Sequence, residues 1–403
     1  MNKNGRREFL KTLALTTAAT VTSPLLASQR PNSSDEDYKA LVCVLLEGGA
    51  DSLNFVAPKT EFSEYLRYLK VRPHTAHNRE KIRTLRGVKY GLHPKMARLQ
   101  RLYNYGNLAI IANVGVLEKS LKLDEIKKAK YPADIKERPS QLFDHVAQRD
   151  MWMQAGVADS GWAARVADLM AKDYVNVSVA GENSLQYGSK QKNLIAHDDI
   201  FGADETVKKV KKAKIDTYFE DDDSMEGKSL GKQLELVIDL IEHRKRSETP
   251  NRQIFFVSYG GWDIHNAADG TAANELMENK VAYMDKSLGE FYNALQKLGL
   301  DKKVTTFTMS DFGRSVENIG DDHGWGGHAF VMGGAIKSGI YGKMPKIAKN
   351  TPDALKNGAL IPTVSCEQYL SPLVKWLGDD KIDLKKVFPN LHKFEDKKLD
   401  FIA

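Results

Sequence analysis

Residues Asp321 to Phe330 read DDHGWGGHAF: two acids, two histidines and three glycines in ten residues. So Gly-rich a stretch is a poor helix, and carboxylates with imidazoles are ligands for hard and borderline divalent ions. A second group, Trp262-Asp263-Ile264-His265, places an acid and an imidazole two apart. On extended chain that spacing sends both side chains to one side. His323 and His328 are five apart, which suits no single helix face, and Gly324, Gly326 and Gly327 would let their loop fold back. Asp51 and Asp311 each follow an apolar run and stand close to glycine. Asp51, Asp263, His265, Asp311, Asp322, His323 and His328 therefore form the expected metal set, for a divalent ion among Zn, Ca, Mg and Mn. Such an ion polarises a phosphoryl or sulfuryl oxygen and activates a nucleophile. Arg314 carries a planar fork that suits a tetrahedral anion. Ser52 is a candidate nucleophile, set against the simpler role of a cap. His145, next to Asp144 on a helical pattern, is balanced between a site role and packing. His93, ahead of Pro94, reads as structural.

These residues must be held by the elements around them. KALVCVLL (39–46), LAIIANV (108–114), QIFFVS (253–258), VTTFTM (304–309) and the shorter run 329–332 read as buried strands. Helical spacing of apolar residues marks 94–105, 142–155, 161–171, 230–246 and 272–298. Strands alternating with helices predict an α/β chain with a mostly parallel sheet covered on both faces. Ligands of such sheets bind beyond the carboxyl ends of the strands, where most of the candidate residues fall.

The first thirty residues stand apart. A basic start with Arg6-Arg7, then Phe9-Leu10-Lys11 and a mild apolar stretch, reads as a twin-arginine export signal. It implies the twin-arginine translocase as a partner during export, and a periplasmic or otherwise extracytoplasmic location. Lys3, Arg6, Arg7 and Lys11 against Glu8 hold a net +3, so the chain falls from +6 to about +3 on cleavage near Ala27. That weak balance argues against nucleic acid as a partner. No later stretch is long and apolar enough to span a bilayer. Residues 38–403 are expected to form a single α/β domain, with a possible helical insertion at about 155–250. The basic and acidic runs between 205 and 228 read as solvated surface. Cys43 is expected to be buried, and a bridge to Cys366 is left open.

In the same order, LLEGGADSLNFVAP, GLHPKMARLQRLYNYGNLAIIANVG, GWAARVADLM, GGWDIHN, SDFGRSVENIGDDHGWGGHAFVMGG and IPTVSCEQYLSPLVKWLG resemble the domain-of-unknown-function 1501 family. The resemblance covers nearly the whole mature chain. It implies a place in the alkaline phosphatase and sulfatase superfamily, with a three-layer α/β/α sandwich and one or two metal ions at the strand ends. It also implies that Asp51, Asp263, His265 and Asp311 are metal ligands, and that the substrate is a small anionic phosphate or sulfate ester. The chain departs from the superfamily in two ways. Phe312 stands where Asp-His is usual, so that His323 or His328 would supply the imidazole. No Cys/Ser-x-Pro-x-Arg motif occurs, and Asp144-His145-Val146 replaces a Ser-His-Phe element. Two functions stay open: an exported metal-dependent ester hydrolase, and a non-catalytic metal-containing binding or assembly protein on the same fold.

Overall fold

The structure, a computed structural model, describes residues 37–121, 135, 138–191, 193–195, 229–244, 250–265, 271–317, 323–379, 381–394 and 399–403. The expected export signal lies outside the described residues, as do Asp322 and the charged runs of 205–228.

Twelve strands are described: β1 (Lys39–Leu46), β2 (Val56–Pro58), β3 (Arg83–Thr84), β4 (Tyr90–Leu92), β5 (Leu108–Gly115), β6 (Tyr174–Ser178), β7 (Leu194–Ile195), β8 (Arg252–Tyr259), β9 (Val304–Ser310), β10 (Gly327–Met332), β11 (Gly339–Tyr341) and β12 (Val364–Ser365). The helices are α1 (Ser52–Phe55), α2 (Phe62–Val71), α3 (Ala97–Asn104), α4 (His145–Gln154), α5 (Trp162–Met170), α6 (Leu230–His243), α7 (Thr271–Lys297), α8 (Cys366–Gly378) and α9 (Leu384–Val387).

Nine strands make one sheet in the order β11-β5-β10-β9-β1-β8-β6-β7, with β12 also on β5. β1 lies at its middle and pairs in parallel with β8 along its whole length and with β9 from Ala40↔Val304 to Leu46↔Ser310. Every described pairing in this sheet is parallel except those of β10, which runs antiparallel to both β5 and β9. β2, β4 and β3 form a small antiparallel sheet beside it.

Alternation along β1 shows why its sequence is apolar throughout. Ala40, Val42, Val44 and Leu46 join one core with Leu99 of α3, Val237 and Ile241 of α6, and Met284, Leu288 and Phe291 of α7. Leu41, Cys43 and Leu45 join the other core with Trp152 of α4, Trp162 and Val166 of α5, and Leu370, Leu373 and Leu377 of α8. A strand buried on both faces has no polar side to show. The result is a three-layer α/β/α sandwich, the expected class. α8 is entered through a capping box in which Ser365 and Gln368 bond each other's backbone, satisfying two donors that a helix start leaves open.

Within the span 155–250, the described residues do not form a helical insertion. β6 is hydrogen-bonded to β8 inside the main sheet, and α5 and α6 cover its opposite faces. The apolar run 174–178 is too short and too broken by Asn176 to announce a strand by periodicity. Cys43 and Cys366 are both free and buried, and Cys43 Sγ lies 3.6 Å from Met309 Sδ.

His93 is structural, as expected. Its Nδ1 accepts from the Lys95 backbone N–H, and its ring meets His77 edge-on at 4.2 Å. Burial, with the charges of His77, Lys95 and Arg83, pushes its pKa down to about 2. Burial also lowers that of His77, and brings that of His328 to about 4. These three fold as neutral imidazoles, whereas the unfolded chain takes up their protons near the ordinary histidine value of about 6.5. Their contribution to stability is thus complete above that value and is lost as pH falls below it toward the folded values. Denaturant unfolding is expected to show the stability falling from pH 7 to pH 5. His93→Gln should remove about 2 kcal/mol of that fall. An equal fall in the variant would show that His93 is protonated in the fold.

Candidate metal centre

Parallel strands end at one edge of the sheet. The loops 47–51 after β1, 260–265 after β8 and 311–314 after β9 therefore meet there. Because β10 runs the other way, its entry, not its exit, reaches the same edge, and it delivers His323. The two loops are zipped together by an Arg314↔His323 bridge and by Gly313 N–H to the Trp325 carbonyl at 3.3 Å. Trp325 is fully buried and donates its indole N–H to the Val116 carbonyl at 2.7 Å, which pins the loop. The glycines act by close approach. A Cβ on Gly324 would lie 2.0 Å from the Gly313 carbonyl oxygen. Gly48, with φ +111°, lets β1's loop run against the Trp262-Asp263 backbone, where a Cβ would lie 2.5 Å from Asp263 N.

At this edge His145, Asp263 and His323 converge, each able to offer one ligand atom to a common point. His145 Nε2 lies 3.2 Å from His323 Nε2 and 3.4 Å from Asp263 Oδ1. His323 Nε2 is 3.7 Å from the same oxygen, and His265 Nε2 is 2.9 Å from it. Asp263 Oδ1 also accepts from Arg314 Nη2 at 2.8 Å. Burial tends to raise the Asp263 pKa. The hydrogen bond and charge of Arg314, with His145 and His265, outweigh this and hold it below the usual value.

The far side of each imidazole is fixed by an oxygen. His145 Nδ1 is 2.7 Å from Asp311 Oδ2, a fully buried carboxylate that also accepts from Gly48 N–H at 2.9 Å. Burial raises the Asp311 pKa despite those two bonds. His323 Nδ1 is 2.8 Å from the Phe143 carbonyl. A carbonyl only accepts, so Nδ1 of His323 carries the proton and its Nε2 presents a lone pair. With Asp311 ionised, His145 is held in the same tautomer. Histidine ligands of metals are oriented in this way. Phe143 holds a left-handed backbone, φ +73°, with its N–H bonded to Gln148 Oε1. That conformation costs on the order of 1 kcal/mol outside glycine, and it aims the carbonyl at His323.

The donor set can be tested against a metal. Two imidazole lone pairs and a carboxylate oxygen facing each other repel unless a cation lies between them. Metal–ligand bonds of about 2.0–2.1 Å, as for zinc, separate tetrahedral ligand atoms by roughly 3.3 Å. The three separations of 3.2, 3.4 and 3.7 Å scatter around that figure. The residues present fit a divalent ion.

Other candidates lie elsewhere. Asp51 is turned away: its Oδ2 pairs with Arg72 Nη1 at 2.6 Å and accepts from Asn54 at 3.0 Å, all buried. It does not join the cluster, because a buried guanidinium already neutralises it. His328 is buried inside β10, where its Nδ1 accepts from Asn113 N–H at 3.2 Å. His328 is the second residue of β10 and is not among the residues that converge with His323. Ser52 Oγ accepts from His328 N–H at 2.8 Å and lines, with His328, Ser310 and Phe312, a cavity of about 20 Å³. Its hydroxyl is buried and bonded to the start of β10, so it is not an exposed nucleophile. Arg314 was expected to meet an anion, but its guanidinium is buried. It bonds the carbonyls of Gly48, Gly49 and Trp262 besides Asp263, so it clamps the three loops. Asp311 takes a place behind His145 rather than at the cluster itself.

Some contributors carry no strong sequence signal. Asp144 caps α4, accepting from Ala147 N–H at 2.8 Å, and thereby places His145 at the helix start. Phe312, in the position of the absent histidine, lies against both His145 and His323 with centroids at 4.6 and 4.8 Å. Lys280 of α7 donates to the Gly260 carbonyl at 2.6 Å and sits over the Tyr259 and Trp262 rings. Burial brings its pKa down to about 8. It steadies the loop that carries Asp263.

No helix among the described residues is long and apolar enough to cross a membrane. No curated protein matches the chain. Three solved structures are similar to it in outline. A protein in the alkaline phosphatase superfamily from Vibrio parahaemolyticus has 13% identity over 90% of this chain and 77% of its own, with a TM-score of 0.39. BT1596, a 2-O GAG sulfatase, has 9% identity over 90% and 76%, with a TM-score of 0.42. The lipoteichoic acid synthase LtaP from Listeria monocytogenes has 13% identity over 75% and 67%, with a TM-score of 0.37. Likenesses this weak say nothing about the site. The sequence match is more specific: residues 238–367, which carry Asp263, His265, Asp311, Arg314 and His323, match the family described as "Protein of unknown function (DUF1501)".

Proposed function

We propose that the chain is an exported metal-dependent hydrolase of small phosphate or sulfate esters. The observation that carries this reading is the meeting of His145 Nε2, His323 Nε2 and Asp263 Oδ1, with each imidazole's other nitrogen anchored on an oxygen. These three residues would hold a divalent ion such as Zn, Ca, Mg or Mn. When bound, the ion would polarise a phosphoryl or sulfuryl oxygen of the ester. Asp311 keeps His145 in the binding tautomer, and Arg314 keeps Asp263 ionised. His265, the more exposed imidazole with 40% of its side chain open, stands where it can pass a proton to a departing alcohol. The Arg6-Arg7 start of the sequence supports export by the twin-arginine translocase and an extracytoplasmic place of action. Residues 38–403 are proposed to work as one domain.

A second reading, a non-catalytic metal-containing binding or assembly protein, is favoured by one observation. Ser52 is buried and already bonded to the His328 backbone, so it is not poised as a covalent nucleophile. Hydrolysis therefore depends on attack by water. The deciding experiment measures release of an aryl alcohol from aryl phosphate and aryl sulfate, before and after chelation and after return of each ion. Hydrolysis lost on chelation and restored by one ion is expected. No hydrolysis with any of the four ions, from a protein that nevertheless retains metal, would replace this reading with the second.

A further inference from the structure

We infer that Arg149, rather than the buried Arg314, receives the anionic group of the substrate, and that Glu47 is the counter-ion it releases in doing so. The inference rests on the ester-hydrolase reading and names how that site recognises its substrate.

Arg149 lies one turn after His145 on α4, a spacing that puts both side chains on one helix face. Its charge is felt at Asp311, the carboxylate behind His145. About a quarter of its side chain is open to solvent, against 1% for Arg314. Arg314 is committed to three carbonyls and Asp263, whereas Arg149 makes one hydrogen-bonded pair among the described residues, with Glu47 Oε1. A guanidinium has five N–H donors, so most of the fork is available to a tetrahedral oxyanion, which it fits in bidentate fashion.

Glu47 is placed to act as a stand-in anion. It begins the loop after β1, its N–H bonding the Tyr259 carbonyl and its carbonyl accepting from Trp262 N–H. The pair thus lies beside the loop that presents Asp263. Its side chain is 43% exposed, and Oε2 keeps a separate partner in Ser258 Oγ at 3.1 Å. Releasing Arg149 would therefore not strand a buried carboxylate, so the exchange carries a small cost. Phosphate and sulfate monoesters share the tetrahedral oxyanion, and both belong to the proposed substrate class.

The test is calorimetric titration of inorganic phosphate, and separately of inorganic sulfate, into the metal-loaded full-length protein, Arg149→Gln and Glu47→Gln. Arg149→Gln is expected to weaken binding about tenfold or more, as loss of charge-assisted hydrogen bonds does. Glu47→Gln should tighten it about threefold by removing the competing carboxylate. Metal content and melting temperature should match the native protein in both. These opposite signs are not what a merely structural ion pair would give, since either substitution would then act alike. If Arg149→Gln fails to fold, Glu47→Gln alone decides: unchanged or weaker binding overturns the inference. Native protein that binds the anion as tightly as Arg149→Gln overturns it and leaves the hydrolase reading standing. Native protein that binds neither anion overturns both.

Discussion

Near-stoichiometric divalent metal is expected in the purified native chain, and its loss from a protein carrying Asp263→Ala and His323→Ala. Elemental analysis of the two, side by side, gives the answer. The expectation follows from the cluster itself: the pair removes two of the three ligand atoms that converge, leaving His145 alone. A smaller, graded loss should accompany Asp311→Asn. That change keeps the shape but replaces a pure acceptor with an amide that can present a donor to His145 Nδ1. Mutation of such an orienting partner usually costs metal affinity about 10- to 100-fold. The native protein should melt at a higher temperature with metal than after chelation, because an ion that binds only the folded state stabilises it. The double variant should lose that difference. Equal metal in native and variant would place the ion elsewhere. Little metal in either would remove the ground for metal-dependent chemistry.

Arg72→Met is expected to destabilise the fold by about 3–5 kcal/mol, the usual result of removing one partner from a buried ion pair. Arg72 and Asp51 have side-chain exposures of 0% and 1%. Arg72 also donates from Nε to the Val316 carbonyl and from Nη2 to the Ser315 carbonyl, at 2.9 and 2.8 Å. One side chain thus ties the region after α2 to the loop behind Arg314. Methionine fills much of the space but leaves the Asp51 carboxylate buried without its cation. Adding Asp51→Asn to Arg72→Met should recover part of the loss, since no charge then remains to be desolvated. Denaturant unfolding measures all three proteins, and a loss under about 1 kcal/mol for Arg72→Met would refute this account. Asp51→Asn by itself should keep its metal, which separates a structural Asp51 from the metal ligand suggested by its place after a strand.

The sequence alone determined the sandwich and the edge at which to look for a site. β1, β5, β8 and β9 are short runs rich in apolar, β-branched or aromatic residues, and α7 repeats its apolar residues over many turns. Those periodicities are local properties of the chain, so they survive reading in one dimension. The same holds for Asp263 and His265, whose adjacency on extended chain is fixed by two residues of spacing. β6 escaped because its neighbours, not its pattern, make it a strand.

Which candidates meet was decided only by tertiary structure. DDHGWGGHAF looked like one loop bringing two imidazoles to one point. The direction of β10 divides it instead: His323 stays at the open edge, Trp325 anchors in the core, and His328 enters the sheet and loses its solvent. Asp51 and Arg314 have the chemistry of a ligand and of an anion fork. Burial against Arg72 in the first case, and against three carbonyls and Asp263 in the second, uses up that chemistry. His145 lies 118 residues before Asp263 in the chain, and only the packing of α4 on the sheet brings it within 3.4 Å. Residue type sets what a side chain can bind. Whether it is free to bind depends on partners distant in sequence, because a buried charge must be matched by whatever the fold places beside it.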